Sequence, residues 1–158
     1  PEHFSNLSII TNNLPILQYL SNYSFDVISL GGQMRQHSHA FIGPLTNASL
    51  ENLYADKAFL GTTGLTIERG ASTPNVLEAE TKRAMTKAAK ETIILVDESK
   101  IDQASLASFA NWDVINYLIC DHPLPIEFKE HLEQQNIVTK IAFGEDFSQK
   151  FNKETIST

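Results

Sequence analysis

The chain predicts an α/β fold built on a doubly wound, mostly parallel sheet. Two observations carry that prediction. Short apolar runs recur along the 158 residues and close on glycine or a polar residue, at Thr11-Asn12, Gly31-Gly32, Gly61 and Asp97. Between them lie segments whose apolar residues repeat at helical spacing, and strand alternating with helix implies parallel strands joined by crossovers. A chain of this length folds as one domain with a proper core. Residues 1–147 are read as that domain and residues 148–158 as a loosely held tail.

The elements follow in order. Leu7–Thr11 is a short apolar strand; Asn13 then caps a helix with Pro15 in its first turn and Ile16, Leu17 and Leu20 along it. Phe25–Leu30 is a strand closed by Gly31-Gly32. Pro44 to about Tyr54 carries Leu45, Leu50 and Leu53 at helix-compatible spacing, and Ala55–Leu60 is a strand closing on Gly61. Asn75 to about Lys90 is the clearest helix, with Leu77, Ala84, Met85 and Ala88 on one stripe and charges opposite. A strand at Thr92–Val96, a strand at Asn116–Cys120, a helix at Ile126–Gln134 and a strand at Ile137–Ala142 complete the chain. Residues Pro1–Asn6 read as a connector entering Leu7 from an earlier strand and helix, so the expectation is a piece of a longer chain.

Composition narrows the function classes. The net charge is −7 and the 12 basic residues are scattered, which argues against nucleic-acid binding by this piece of chain. The densest basic run, Lys82-Arg83 with Lys87 and Lys90, reads as a solvated helix face with Glu78–Lys82 and Glu80–Arg83 surface pairs. No apolar stretch reaches the roughly 18–20 residues of a membrane span, so no membrane partner is expected. The single cysteine, Cys120, has no internal partner; it reads as a small buried hydrophobe, and a reducing cytoplasm is the expected compartment. His37-Ser38-His39 lacks a completing Cys or carboxylate, so no metal or other cofactor is expected. Neither a Gly-x-Ser-x-Gly elbow nor a Cys–His pair marks a nucleophile, so no catalytic residue is assigned.

The strand ends supply binding chemistry instead. In open α/β sheets, ligands sit in the crevice beyond the carboxyl ends of the strands. Asp97-Glu98-Ser99-Lys100 follows the apolar run Thr92–Val96 there: the lysine suits a phosphate and Asp97 can accept from a sugar hydroxyl. Thr11-Asn12 offers a hydroxyl and an amide, although a helix cap would use them equally well. Gly31-Gly32 permits close backbone approach or simply a turn. The N–H and hydroxyl groups of Gly61-Thr62-Thr63-Gly64 could form an anion-binding nest, although the loop has neither the Lys-Ser/Thr ending of a P-loop nor the third glycine of a dinucleotide fingerprint.

Taken together, these segments resemble the C-terminal sensor domain of the DeoR family of transcriptional repressors. The resemblance runs from Ser8-Ile9-Ile10-Thr11-Asn12 through Ser29-Leu30-Gly31-Gly32 and Phe41-Ile42-Gly43-Pro44 to Asp56-Lys57-Ala58-Phe59-Leu60-Gly61-Thr62-Thr63-Gly64. It continues through Glu78-Ala79-Glu80-Thr81-Lys82-Arg83-Ala84-Met85 and ends strongly at Leu95-Val96-Asp97-Glu98-Ser99-Lys100, covering about residues 7–122. The resemblance implies a fold like that of ribose-5-phosphate isomerase and a phosphorylated sugar, or related metabolite, as effector. It places Thr11, Asn12, Gly31, Gly32, Gly61, Gly64, Asp97 and Lys100 in the effector pocket, with Asp56 and Glu78 nearby. It also implies an amino-terminal winged helix-turn-helix and a first sensor strand with a phosphate loop, neither of which this sequence contains. DNA would then be met only through that absent domain, and a homo-oligomer is expected.

A working aldose–ketose phosphate isomerase is the alternative, as is an oligomerisation module with a vestigial pocket. Isomerisation needs a carboxylate base. Isomerases of that fold carry acidic residues in the loop that here is Gly61–Gly64 and a glutamate where Thr81 stands, so sensing without turnover is the expected function.

Overall fold

The computed structural model describes residues 7–142; the expected tail after Phe147 and the connector Pro1–Asn6 lie outside the described residues. In chain order the elements are β1 (Ser8–Thr11), α1 (Leu14–Leu20), β2 (Asp26–Ser29), β3 (Gln33–Arg35), β4 (Ala40–Ile42), α2 (Pro44–Leu50), β5 (Ala55–Gly61) and β6 (Gly64–Thr66). They continue with β7 (Gly70–Thr73), α3 (Val76–Lys87), β8 (Ala89–Val96), β9 (Ala107–Ala110), β10 (Tyr117–Cys120), α4 (Ile126–Gln134) and β11 (Val138–Ile141).

The fold class is α/β with a mostly parallel sheet. Four parallel strands lie in the order β11-β10-β8-β5, and β1 and β2 form a separate parallel pair. The strands expected to form one sheet are therefore divided between two, because no ladder joins β1 to β5. Three further pairings are antiparallel: the hairpin β3–β4 and the sheet β6-β7-β9. These strands have three or four residues each. Such runs are too short to display alternation in a sequence.

The four-stranded sheet has two unlike faces. Leu60, Ile94, Val96, Leu118 and Cys120 point into the main core, where they meet Leu65, Phe109, Trp112, Phe128 and Leu132. Successive side chains along a strand point to opposite faces, and on the other face Phe59 is 59% exposed, Leu95 40% and Val138 46%. Ile93, only 4% exposed, is the exception on that side. The apolar run before Asp97 therefore alternates at its end instead of being buried throughout. Cys120 is buried as expected, and loss of solvation raises the pKa of its thiol.

Helix α3 shows where tertiary pairing overrides helical pattern. Asn75 caps it, its side chain accepting from the Glu78 N–H at 2.9 Å. The helix stops at Lys87, short of the expected Lys90, because Ala89 already pairs with Ala55 at the start of the β8–β5 ladder. Ala84, Met85 and Ala88 pack inward as the stripe required, but the fully buried residues of the helix are Ala79 and Thr81. A small second core of Leu30, Leu50 and Ala88, joined by Ile10, Leu53, Ala84 and Met85, ties β1 and β2 to α2 and α3.

The two faces predict unequal costs. Ile94→Ala, at a fully buried position, should cost about 2–5 kcal/mol in urea denaturation. Phe59→Ala, on the open face, should cost less than about 1 kcal/mol; equal losses would contradict the assignment of faces.

Candidate functional site

Strand register assembles the site. Gly61 lies opposite Leu95, and Cys120 opposite Val96. The residues that follow, Thr62, Asp97 and Asp121, therefore line one edge of the sheet at its carboxyl end. Asp97 caps a single 3₁₀ turn, Glu98–Lys100, its Oδ1 accepting from the Ser99 N–H at 3.0 Å and from the Ser99 hydroxyl. Lys100 Nζ donates to Ser99 Oγ at 2.8 Å and lies 3.9 Å from Asp97 Oδ2. Asp97 and Lys100 are thus a self-contained ion pair, with side chains 52% and 35% exposed. Beside them Asp121 Oδ1 accepts from the Glu98 N–H at 2.8 Å. Burial opposes ionisation of Asp121, but that N–H and neighbouring His122 hold its pKa below 3.8.

The Gly61–Gly64 loop is not the open nest expected of it. Thr63 N–H donates to the Ser72 carbonyl at 3.1 Å, and Gly64 N–H is directed at Thr62 Oγ1 at 3.4 Å. The Thr62 hydroxyl itself lies 2.8 Å from the Gly64 carbonyl and 3.0 Å from that of Ser72. These bonds seat β6 against β7. Gly64 is required there because a Cβ would come within 2.3 Å of the Gln103 carbonyl oxygen.

The other expected residues divide into neighbours and structural members. Thr11 is buried and its Oγ1 accepts from the Asn13 N–H at 3.1 Å. Asn12 Nδ2 donates to the Phe41 carbonyl, and the Asn12 carbonyl accepts from Phe41 N–H, both at 2.8 Å. Both side chains thereby fasten the end of β1, with Asn12 holding β4. Gly32, at φ +143°, is pressed against Thr46, whose hydroxyl donates to the Gly31 carbonyl at 2.7 Å. Gly31 and Gly61 open on free space. Asp56 stands apart: it is at the amino end of β5, five residues and on the order of 16 Å from Gly61.

Glu78 belongs to a cluster that reading the sequence did not assemble. Its Oε2 lies 3.1 Å from Arg35 Nε and its Oε1 3.2 Å from Lys82 Nζ. Lys82 also donates to the Gly61 carbonyl at 2.9 Å and lies 5.0 Å from the centre of the Phe109 ring. Lys87 and Lys90 are exposed as the expected solvated face requires, but Lys82 and Arg83 are not. Lys82 and Glu78 side chains are 17% and 14% exposed, and Arg83 donates to the Ser108 carbonyl at 2.8 Å. Their long apolar stems reach across the helix to strand ends that a surface pattern does not reveal. The spacing Glu78-x-x-x-Lys82 was visible, but nothing in sequence order points to Arg35 as the third member.

Two other features lie elsewhere. A cleft of about 310 Å³ lined by Glu91, Trp112, Asn116, Tyr117 and Asn136 sits at the amino ends of β8 and β10, opposite the strand-end site. His37 and His39 lie between β3 and β4, and among the described residues no set of His, Cys, Asp and Glu is arranged to hold a metal.

Residues 2–122 match the family model described as DeoR C terminal sensor domain. The HTH-type transcriptional regulator IolR of Bacillus subtilis is 28% identical over 87% of this chain and 55% of its own length. The lactose phosphotransferase system repressor of Staphylococcus epidermidis is 35% identical over 83% of this chain and 52% of its own. The putative aga operon transcriptional repressor of Escherichia coli O157:H7 is 32% identical over 71% and 42%. The chain spans about half the length of the curated relatives it matches.

Burial lowers the Lys82 pKa from 10.5 despite the pull of Glu78. A lysine depressed in the folded state binds fewer protons folded than unfolded between its lowered pKa and the unfolded value. Stability attributable to Lys82 therefore rises with pH across that window and levels off above 10.5. The difference in stability between the wild type and Lys82→Met, followed by denaturation, should grow with pH in that direction.

Proposed function

We propose that this chain, which belongs to the family of DeoR C-terminal sensor domains, is the effector-sensing part of a bacterial transcriptional regulator of sugar metabolism. Its effector is a phosphorylated sugar or related metabolite, bound beyond the carboxyl ends of β5 and β8. The observation that carries this reading is the Asp97–Ser99–Lys100 cluster at the end of β8, just beyond the level of Gly61, on a chain whose relatives include an aga operon repressor and a lactose phosphotransferase system repressor by name. Lys100 would turn from Asp97 to the phosphate, and Asp97 would accept from a sugar hydroxyl.

Binding without turnover fits the carboxylates. Proton transfer between adjacent carbons needs a free base near the substrate. Glu78 is held between two cations, Asp97 by Ser99 and Lys100, Asp121 by the Glu98 N–H and His122, and the Gly61–Gly64 loop has no carboxylate. In the whole protein, a cytoplasmic homo-oligomer on this reading, occupancy would shift the arrangement of subunits and so of DNA-binding domains outside this chain. That coupling requires the effector to bind one arrangement better than the other.

Lys100→Ala should weaken binding of a stabilising phosphosugar by about 1.5–3 kcal/mol, the range for a hydrogen bond to a charged group. Titration calorimetry checks it, and unchanged affinity would remove Lys100 from the pocket.

A further inference from the structure

We infer that Arg35 is a further oxyanion-binding residue of this site, gripping a phosphate with the outer edge of its guanidinium, and that Glu78 is its positioning residue. The inference rests on reading the strand ends as a phosphosugar pocket, and it identifies the cation with charge to spare.

Charge counting within the site leads there. The Asp97–Lys100 pair is neutral in sum, its partners 3.9 Å apart, and Asp121 beside it adds a negative charge. The second cluster sets two cations, Arg35 and Lys82, against the one carboxylate of Glu78. Lys82 has its three donors met, by the Gly61 carbonyl, by Glu78 Oε1 and by the face of Phe109. The surplus positive charge therefore resides on Arg35. Its Nε is taken by Glu78 Oε2 at 3.1 Å, while the N–H groups on its two terminal nitrogens have no hydrogen-bond partner among the described residues.

Geometry favours an oxyanion over a lone acceptor. A guanidinium offers paired N–H groups in a planar fork that matches two oxygens of a phosphate. Glu78 fixes that plane from behind, and its own backbone N–H is anchored on Asn75. At 24% exposure the Arg35 side chain is partly desolvated yet open on one edge. It follows Gly31-Gly32 by three residues, and its guanidinium is linked through Glu78 and Lys82 to the Gly61 carbonyl at the end of β5.

The test titrates inorganic phosphate into the 158-residue chain while the side-chain Nε–Hε signal of Arg35 is followed by NMR. Phosphate should shift that signal. Arg35→Gln should lower phosphate affinity about 10- to 100-fold, and Arg35→Lys should recover only part of it, because it restores the charge but not the fork. Glu78→Gln should weaken binding less than Arg35→Gln does. An unmoved Arg35 signal, or equal affinity in the wild type and Arg35→Lys, would overturn the inference. If Arg35→Gln does not fold, the wild-type signal and Arg35→Lys decide the matter. A phosphosugar bound normally by Arg35→Lys would reject Arg35 and leave the pocket reading standing. Phosphate at Arg35 with no phosphosugar bound would uphold Arg35 and reject the pocket reading.

Discussion

Parallel pairing in register between β5, β8 and β10 is the constraint on which the site depends. Because Gly61 is level with Leu95, and Val96 with Cys120, the sheet presents its polar strand-end residues along one edge. Glu98 can then donate its N–H across to Asp121, and Lys82 can cap the Gly61 carbonyl from α3. A slip of one residue would exchange the sheet's faces, burying Phe59 and Leu95 and exposing Leu60 and Ile94. The core that holds the register and the edge that carries the charges are thus two consequences of one pairing.

Glu78 is the second organising element. A single carboxylate binds Arg35 from β3 and Lys82 from its own helix, and Lys82 in turn reaches the end of β5. Three elements distant in sequence are joined by side chains that are each less than a quarter exposed. Partial burial is what makes such a network consequential, since exposed ion pairs contribute little. The same network would let a ligand's charge be felt by the β3–β4 hairpin as well as by the sheet.

How much was legible in the sequence follows from the range of each interaction. Strands β5, β8 and β10 and helices α3 and α4 announce themselves through runs and spacing, and Asp97 and Lys100 through their place after an apolar strand. Asn13 and Asn75 are caps that a short-range rule finds, and both accept from the N–H three residues on. The roles of Asn12 and Gly32 were harder, because each is decided by a partner elsewhere: Phe41 for one, Thr46 for the other. The composition of the Gly61–Gly64 loop permits a nest, yet Ser72 takes the Thr63 N–H and the Thr62 hydroxyl. Arg35 and Glu78 are 43 residues apart, and no local pattern registers a pair at that separation.

On the proposed function, the strand-end site binds a phosphorylated sugar without converting it. A thermal-shift screen of this chain against phosphorylated sugars, each beside its unphosphorylated partner, tests it most directly. A phosphosugar at about 100 times its dissociation constant should add roughly 2.7 kcal/mol of stability, and its unphosphorylated partner far less. Stabilisation by one phosphosugar, recovered unchanged after hours with the protein, is expected. Interconversion of the bound sugar, or equal responses to phosphorylated and unphosphorylated partners across the panel, would contradict it.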